Sequence, residues 1–267
     1  MTHPTDLSDR EFASFQRLIR EAAGISLAPS KKALVAGRLA KRLKHHGIAS
    51  FSDYHRLLDA QQGERQMAVD LLTTNETYFF REPKHFDFLR QQLLPRHPRE
   101  RALRVWSAAC STGEEPYSVA MLLADHAGDS AWEILASDIS TRVLDKARQA
   151  IYALGSVRGL APEQMRRHCL KGTGSQEGCF AIDPALCRRV SFQQINLNTT
   201  LPEVGEFDLI LLRNVLIYFE PQTKREVVAR LQAKLRRGGH LFVGHSESLN
   251  GLADGLVQVV PAVYRKP

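Results

Sequence analysis

Apolar residues in the first third of the chain recur at helical spacing. Within residues 31–46, three apolar residues are spaced four apart and form a stripe on one face of a helix: Val35, Leu39 and Leu43. Further upstream, Ser8 is followed three residues later by Glu11, a pattern typical of a helix N-terminus. The pattern predicts a helical N-terminal domain over residues 1 to about 92.

After Leu103 the hydrophobic period changes, and short apolar runs alternate with helical segments. Strands are predicted at 104–109, 133–137, 207–212, 241–244 and 257–264, and helices at 114–126, 141–151 and 220–237. Gly238 and Gly239 are expected to stop the last helix. Pro95 and Pro98 mark a linker before this second domain, residues 93–267. Strands that alternate with helices predict an α/β fold, a mostly parallel sheet covered on both faces.

Residues 171–195 interrupt this alternation. They contain turn residues and short β-prone pieces without a helical period. We predict a small antiparallel β-subdomain here, inserted into the α/β domain.

Composition places the chain among globular proteins. Of its 267 residues, 43% are hydrophobic and 24% are charged, which allows a buried core and argues against disorder. No run approaches the ~20 apolar residues that span a bilayer, and residues 1–12 lack a secretion-signal pattern. We therefore expect a cytoplasmic protein. The cysteines form no CxxC pair and fit no common zinc spacing, so we expect free thiols and no metal: Cys110, Cys169, Cys179 and Cys187.

The net charge of +7 is unevenly distributed. Residues 22–52 include no acidic residue, but they carry a run of cations: Lys31, Lys32, Arg38, Lys41, Arg42 and Lys44, extended by His45 and His46. Arg38, Lys41, Arg42 and His45 share one face of the predicted helix, beside the apolar stripe. Such a face attracts nucleic acid, anionic lipid or an acidic protein, and the sign of the charge does not choose among them. A merely solvated face is the alternative.

The loop after the first predicted strand, residues 108–115, has small side chains that let a ligand approach the backbone. Glu114 and Glu115 then open the next helix, where a dinucleotide would place its pyrophosphate. Carboxylates repel phosphate but favour an ammonium or a sulfonium, and no GxGxxG motif is present. The loop therefore favours S-adenosyl-methionine over NAD, although acidic residues also cap helices without any ligand.

Three further loops follow predicted strands, at the sheet edge where open parallel sheets bind ligands. Asp138 ends the second strand, where an acid accepts hydrogen bonds from ribose hydroxyls or caps the following helix. The polar stretch 194–198 is of a kind that flanks an adenine ring. Arg213 and Asn214 follow the buried strand FDLILL, where packing alone does not call for a charged residue.

Five separated strings together resemble one family. They are TTNETYFFRE (73–82), SAACSTGEEPYS (107–118), ASDIS (136–140), LLRNVLIYF (211–219) and VGHSES (243–248). In this order and at these spacings they resemble the chemotaxis receptor methyltransferase (CheR) family over essentially the whole chain. The resemblance implies a Rossmann-like S-adenosyl-methionine-dependent methyltransferase domain with a β-subdomain, preceded by an all-α domain.

The resemblance also implies residue roles, with S-adenosyl-homocysteine as product. The residues it assigns to the cofactor are Asn75, Thr77, Arg81, Glu115, Asp138, Asn196, Leu197, Arg213 and Asn214. Arg213 and Tyr218 would lie near the transferred methyl group. The cations implied to face the chemoreceptor helices are Arg38, Lys41, Arg42 and Lys44. The β-subdomain would dock a receptor's C-terminal tether peptide where one exists. Cys110 stands where a small residue such as alanine is expected.

The implied reaction is methyl transfer to receptor glutamates, which forms methyl esters for chemotactic adaptation. A glutamate carboxylate, with a pKa near ~4.3, is already nucleophilic at neutral pH, so no general base is expected. We expect Arg213 to orient this carboxylate loosely through its planar fork. Tyr218 would close or polarise the site, the alternative being a packed aromatic.

Two other functions are considered. A nucleic-acid methyltransferase would explain the cations, but the sequence lacks an Asn/Asp-Pro-Pro-aromatic motif after the fourth strand and a Pro-Cys nucleophile. The other is a regulator that binds the cofactor and docks on receptors without methylating them. Its site would have decayed around Arg213 and Tyr218, and both residues are present.

Overall fold

A computed structural model describes residues 6–128 and 130–267. The chain divides into two compact units. The helical unit comprises the residues up to Thr74 together with Tyr218–Lys224, and the α/β unit comprises Asn75–Ile217 and Arg225–Pro267. The division therefore falls at Thr74, not near residue 92 where the sequence predicted a linker. Residues 1–5, the start of the predicted helical domain, lie outside the described residues.

The helical unit contains four helices within the described residues: α1 Asp9–Ala23, α2 Lys32–His45, α3 Phe51–Ala60 and α4 Gln62–Leu72. The predicted capping box is confirmed, because the Glu11 N–H donates to the Ser8 hydroxyl and the Glu11 side chain accepts from the Ser8 N–H. The predicted stripe of α2 is confirmed as well: Val35, Leu39 and Leu43 are fully buried.

The next helix belongs to the α/β unit. Helix α5, Pro83–Phe88, continues through a wider π-helical turn over Leu89–Leu93 and a short 3-10 turn over Leu94–Arg96. Its apolar residues join the core beneath the sheet, with Leu89 only 1% exposed. This burial explains why the segment clusters with the sheet rather than with the helices before it.

The strands of the described chain are β1 Leu103–Ser107, β2 Trp132–Asp138, β3 Ile151–Ala153, β4 Cys169–Lys171, β5 Cys179–Ile182, β6 Val190–Gln194, β7 Phe207–Leu212, β8 Leu235–Val243, β9 Val257–Val260 and β10 Val263–Arg265. The main sheet has the order β6-β2-β1-β7-β8-β10-β9. The first five of these are parallel, and β10 runs antiparallel to both of its neighbours. The predicted mostly parallel sheet is confirmed, although the single strand expected over 257–264 is a hairpin.

Further helices connect the strands: α6 Glu114–His126, α7 Thr141–Gln149, α8 Pro162–His168, α9 Pro184–Cys187 and α10 Pro221–Ala233. Because parallel crossovers are right-handed, α6 and α7, which carry the chain toward β6, lie on one face of the sheet. The crossover through α10 runs in the opposite direction, which places it on the other face.

The prediction that Gly238 and Gly239 stop the last helix is wrong. The helix ends at Ala233, and both glycines lie within β8. Gly238 has φ +78°, and a Cβ on Gly239 would lie 2.9 Å from the Arg236 carbonyl oxygen. Gly238 therefore supplies a backbone conformation that favours glycine, and Gly239 allows a close backbone approach in the sheet, beside the register shift between β7 and β8.

The predicted small antiparallel β-subdomain is confirmed, as a sheet of order β3-β5-β4. Its extent differs from the predicted 171–195. It begins at Ile151, since α7 ends earlier than expected, at Ala150 in the left-handed conformation. At the other end, β6 leaves the subdomain and pairs in parallel with β2.

The strand order places a binding crevice at one edge. The chain passes from β1 outward to β2 and β6 and then returns to β7, on the other side of β1. Ligands of open α/β sheets bind at the carboxyl ends of the strands where the order reverses in this way. Across the described residues, no helix is both long enough and apolar enough to cross a bilayer.

Candidate functional site

The loop from β1 to α6 is shaped by two residues with positive φ. Ser111 has φ 49° and Gly113 has φ 97°. A Cβ on Gly113 would lie 2.9 Å from the Tyr152 hydroxyl oxygen and 3.0 Å from the Ala147 Cβ. Both the backbone conformation and the close packing therefore favour glycine at this position.

Asp138, at the carboxyl end of β2, fixes this loop. One carboxylate oxygen accepts the Ser111 backbone N–H at 2.9 Å, and the other accepts the Ser140 N–H at 3.0 Å. The side chain is buried. Ser140 is the residue before α7. Asp138 thus joins two of the loops that were predicted to form the site, which is more than a helix cap alone would do.

The two glutamates that open α6 have different partners. Glu115 accepts the Ser107 hydroxyl at 2.7 Å through one oxygen and the Arg213 guanidinium at 2.8 Å through the other. Glu114 accepts the Thr112 hydroxyl at 2.6 Å. Burial raises the pKa of Glu114, although the Thr112 hydrogen bond opposes that rise. Of these two glutamates, Glu115 is the one that forms an ion pair with Arg213.

Arg213 follows β7 and is held from two sides. Its side chain is 2% exposed, and its guanidinium donates to Glu115 at 2.8 Å and to Glu82 at 3.0 Å. It also donates to the carbonyl oxygen of Arg81. Its Nε–H is buried without a hydrogen-bond partner within the described residues.

Glu82 holds the other side of this group. One oxygen accepts the Asn214 side-chain amide at 3.1 Å and the His245 backbone N–H at 3.1 Å. Burial raises the pKa of Glu82, but the combined lowering by Arg213, Asn214 and His245 is larger, so the pKa lies below its usual range. Sequence reasoning gave Glu82 no role, although it lies in the string TTNETYFFRE.

Glu247 is a second residue that sequence reasoning missed. Its buried carboxylate accepts the backbone N–H groups of Gly244 at 2.6 Å, Asn214 at 2.8 Å and Ile217 at 3.3 Å. Asn214 has φ 57°, an uncommon conformation that these bonds support. The string VGHSES contained the signal, because a glutamate there follows a strand of the sheet.

His85 lies behind Glu82, with its Nδ1 3.5 Å from a Glu82 carboxylate oxygen and its ring centre 4.7 Å from that of His245. Its ring stacks on Phe242 at 5.1 Å, and neither ring nitrogen has a hydrogen-bond partner within the described residues. Burial and the nearby Arg213 lower the pKa of His85 to about 3. Glu82, His85 and His245 place possible metal-ligand atoms within 4.8 Å of one another. Because Glu82 already pairs with Arg213, a cation here would meet the guanidinium charge, and we assign Glu82 to holding Arg213.

The remaining predicted cofactor residues lie near the same strand ends or in loops that lead to them. The Asn75 carbonyl accepts the Ser111 hydroxyl at 2.9 Å. Arg81 donates to the Glu76 carbonyl, and Thr77 is half-buried. After β6, the Asn196 side chain accepts the Asn198 N–H at 2.9 Å, and the Leu197 carbonyl accepts from Arg230.

Tyr218 and the predicted receptor-facing cations belong to the helical unit. The Tyr218 carbonyl accepts the Ser26 N–H at 2.8 Å. Arg38 donates to the carbonyls of Leu72 and Thr73 at the end of α4. Arg42 forms a two-bond ion pair with Glu64.

The cations of α2 therefore differ in what they can offer a partner. Arg38 and Arg42 are half-buried and have internal bonds, whereas Lys41 and Lys44 are exposed.

Comparison with known proteins gives matches along both units. Residues 75–264 match the family described as "CheR methyltransferase, SAM binding domain", and residues 10–73 match "CheR methyltransferase, all-alpha domain". The chain is 44% identical over 261 residues to the chemotaxis protein methyltransferase of Escherichia coli strain K12, covering 94% of this chain and 89% of that protein. It is 43% identical over 257 residues to chemotaxis protein methyltransferase 2 of Pseudomonas aeruginosa, covering 95% of this chain and 92% of that protein.

Proposed function

The chain belongs to the CheR methyltransferase family and is an S-adenosyl-methionine-dependent methyltransferase of chemotaxis, and we propose that it methylates glutamate side chains of chemoreceptors in the cytoplasm. The product of this reaction is a glutamyl methyl ester. Each ester removes one negative charge from the receptor helices and so changes their mutual repulsion.

The charge around Arg213 supports the cofactor assignment. Glu82 and Glu115 flank one guanidinium at 3.0 and 2.8 Å, so this group carries one more negative charge than positive. S-adenosyl-methionine carries an ammonium and a methyl-bearing sulfonium, and such cations favour a site with surplus negative charge. Asp138 lies at the position from which an acid accepts ribose hydroxyls.

The substrate needs no base from the protein. A glutamate carboxylate, with a pKa near ~4.3, is ionised at neutral pH and supplies the attacking oxygen itself. The residues of this chain therefore have to align the carboxylate and exclude water, which can contribute up to ~7–11 kcal/mol in well-oriented systems.

We assign the alignment of the substrate to Arg213 and Tyr218. The sequence suggested a loose, two-bond clamp by Arg213, but its guanidinium already donates to Glu82, Glu115 and the Arg81 carbonyl. The unpartnered Nε–H is the donor that we assign to a substrate carboxylate oxygen; because it is buried, it would reach the substrate only after the side chains that cover it move. Tyr218 would close the site.

For the receptor surface we propose the exposed lysines of α2, Lys41 and Lys44, because Arg38 and Arg42 have partners within the helical unit. The docking of a receptor tether peptide is proposed for β4. This strand pairs only with β5 among the described strands, and Leu170 on it is 52% exposed. An exposed strand edge can accept an added strand.

The first experiment combines tritiated S-adenosyl-methionine with membranes that contain chemoreceptors, followed by mild alkali. We expect label on the receptor that is released as methanol, which identifies an ester. Label that resists alkali would contradict glutamate esterification. Cofactor binding without any receptor label would favour the regulator that does not methylate.

The matched variant is Arg213→Lys, which keeps one positive charge between Glu82 and Glu115 but loses the Nε–H donor. We expect affinity for S-adenosyl-homocysteine to change little and kcat to fall about 10²-fold, the scale for losing one aligned donor. Unchanged turnover would exclude the role proposed for Arg213.

A further inference from the structure

A pocket of about 290 Å³ opens beside the first residues of β7, away from Arg213 and the strand ends that hold it. Four arginines line it: Arg96, Arg101, Arg237 and Arg265. Asp208 is the one acid among its lining residues within the described chain. Neither the methyl-transfer residues nor the receptor-facing lysines lie in it.

Within the described residues, Asp208 forms an ion pair with one of these four arginines, Arg101. Its carboxylate accepts Arg101 at 2.5 Å, Arg236 at 2.7 Å and the Arg104 backbone N–H at 2.9 Å. One buried negative charge is thus shared by two guanidiniums. Across residues 6–128 and 130–267, no ion pair is found for the other three, which are Arg96, Arg237 and Arg265.

A buried imidazole in the same pocket points to a missing partner. The His97 side chain is 7% exposed, and its Nε2 has no hydrogen-bond partner within the described residues. The Asp208 carboxylate oxygen is 3.7 Å away, beyond hydrogen-bond distance. In its neutral form with the proton on Nε2, the His97 ring can donate toward an anion in the pocket.

The pKa of His240 is sensitive to the positive charge of the pocket. Burial, together with Arg265 and Arg96, lowers the pKa of His240 to about 4. The Phe88 ring covers it, with ring centres 5.7 Å apart. An anion bound between these arginines would oppose their effect on His240.

We propose that this pocket binds a small phosphate-bearing anion of nucleotide size. Planar guanidinium forks match phosphate oxygens. Arg96, Arg237 and Arg265 are exposed and form no ion pair within the described residues, so their charge is available to an anion. A phosphate monoester carries nearly two negative charges at neutral pH. Phe88 and Val259 add apolar wall, which a nucleobase would cover.

Calorimetric titration of the full chain tests the proposal, with saturating S-adenosyl-homocysteine present so that nucleotides cannot occupy the cofactor site. The probes are pyrophosphate, AMP and GMP. We expect one saturable site, and tighter binding of a nucleotide than of pyrophosphate if the apolar wall contributes. Equal binding of pyrophosphate and the nucleotides would contradict a ligand of nucleotide size. An absence of binding by all three probes would overturn the proposal.

The matched variants are Arg237→Gln, in the pocket, and Arg166→Gln, an exposed arginine on α8 outside it. Each removes one positive charge. We expect Arg237→Gln to weaken binding about tenfold and Arg166→Gln to leave it unchanged. Equal weakening by both would show an effect of net charge and exclude a site. A polyglutamate peptide that binds as tightly as AMP would exclude a phosphate-specific pocket.

A second measurement is independent of these variants. The His240 imidazole is titrated by NMR with and without AMP. We expect its pKa to rise when the anion is bound, because the ligand offsets Arg96 and Arg265. An unchanged titration with AMP bound would place the ligand elsewhere.

Discussion

At the scale of single residues, the site depends on carboxylates that fix other groups. Glu115 and Glu82 each hold one side of Arg213, and Glu247 holds the Asn214 turn through three backbone N–H groups. Removing one partner of such a buried pair leaves an uncompensated charge, which costs several kcal/mol. Arg213 is therefore held in one orientation by two carboxylates, which fits the role in substrate alignment that is proposed for it.

His85 predicts a measurable pH dependence of stability. In the folded chain burial and Arg213 lower its pKa to about 3, whereas an unfolded histidine titrates near about 6.5. Below about 6.5 the unfolded state therefore binds the extra proton, so stability falls as the pH falls. Replacing His85 with phenylalanine removes this contribution and keeps a ring against Phe242.

The measurement is urea unfolding of the wild type and His85→Phe at about pH 7 and about pH 5. We expect the wild type to lose about 2 kcal/mol more than the variant over this interval. Because other titrating groups are common to both proteins, the difference isolates His85. Parallel loss in the two proteins would contradict a buried, neutral imidazole.

At the scale of elements, helix α2 carries two kinds of cation: some form ion pairs or hydrogen bonds within the helical unit, and others are exposed. Glu64 is buried, with 6% of its side chain exposed, and accepts Arg42 at 2.8 and 2.5 Å and the Tyr54 hydroxyl at 2.6 Å. Burial alone would raise the pKa of Glu64, but Arg42 and Tyr54 lower it to about 2. Lys41, one residue before Arg42, is exposed.

Arg42→Ala and Lys41→Ala therefore form a matched pair. We expect Arg42→Ala to lower the free energy of unfolding by about 3 kcal/mol, because buried Glu64 loses its two-bond ion pair and keeps only the Tyr54 hydroxyl and the His46 ring as partners within the described residues. Lys41→Ala should stay within about 0.5 kcal/mol of the wild type. Urea unfolding measures both, and similar losses in the two variants would mean that the Arg42–Glu64 pair does not stabilise the helical unit.

At the scale of the whole molecule, the excess positive charge is a property of association rather than of fold. The net charge is +7, and the chain from 22 to 52 contains no acidic residue. Under the proposed function, receptor helices with clustered glutamates would offer a complementary surface. Such long-range attraction is screened by salt, with a Debye length near about 10 Å at 0.1 M ionic strength.

Receptor methylation should consequently weaken with salt. Between about 50 and about 500 mM NaCl we expect the KM for receptor to rise while the affinity for S-adenosyl-homocysteine changes little. A double variant, Lys41→Gln with Lys44→Gln, should raise KM at low salt and flatten its salt dependence. A salt dependence identical to that of the wild type would place the receptor surface away from these lysines.

The sequence by itself determined the elements that have a strong local signal. The stripe of Val35, Leu39 and Leu43 fixes α2, because four-residue spacing buries one face of a helix. The run FDLILL fixes β7, whose residues are all buried. Motif strings at ordered spacings identified the family and its cofactor, which the family matches confirm.

The tertiary structure decided what depends on partners distant in the chain. Gly238 and Gly239 looked like a helix stop, but pairing with β7 draws them into a strand. Glu82 meets Arg213, 131 residues later, and no local pattern encodes that contact. Similarly, Arg42 and Lys41 are adjacent cations in the sequence. Arg42 has a structural role because Glu64 lies beside it in the fold, whereas Lys41 is exposed. Local spacing sets the period of an element, whereas long-range packing decides which charges are paired.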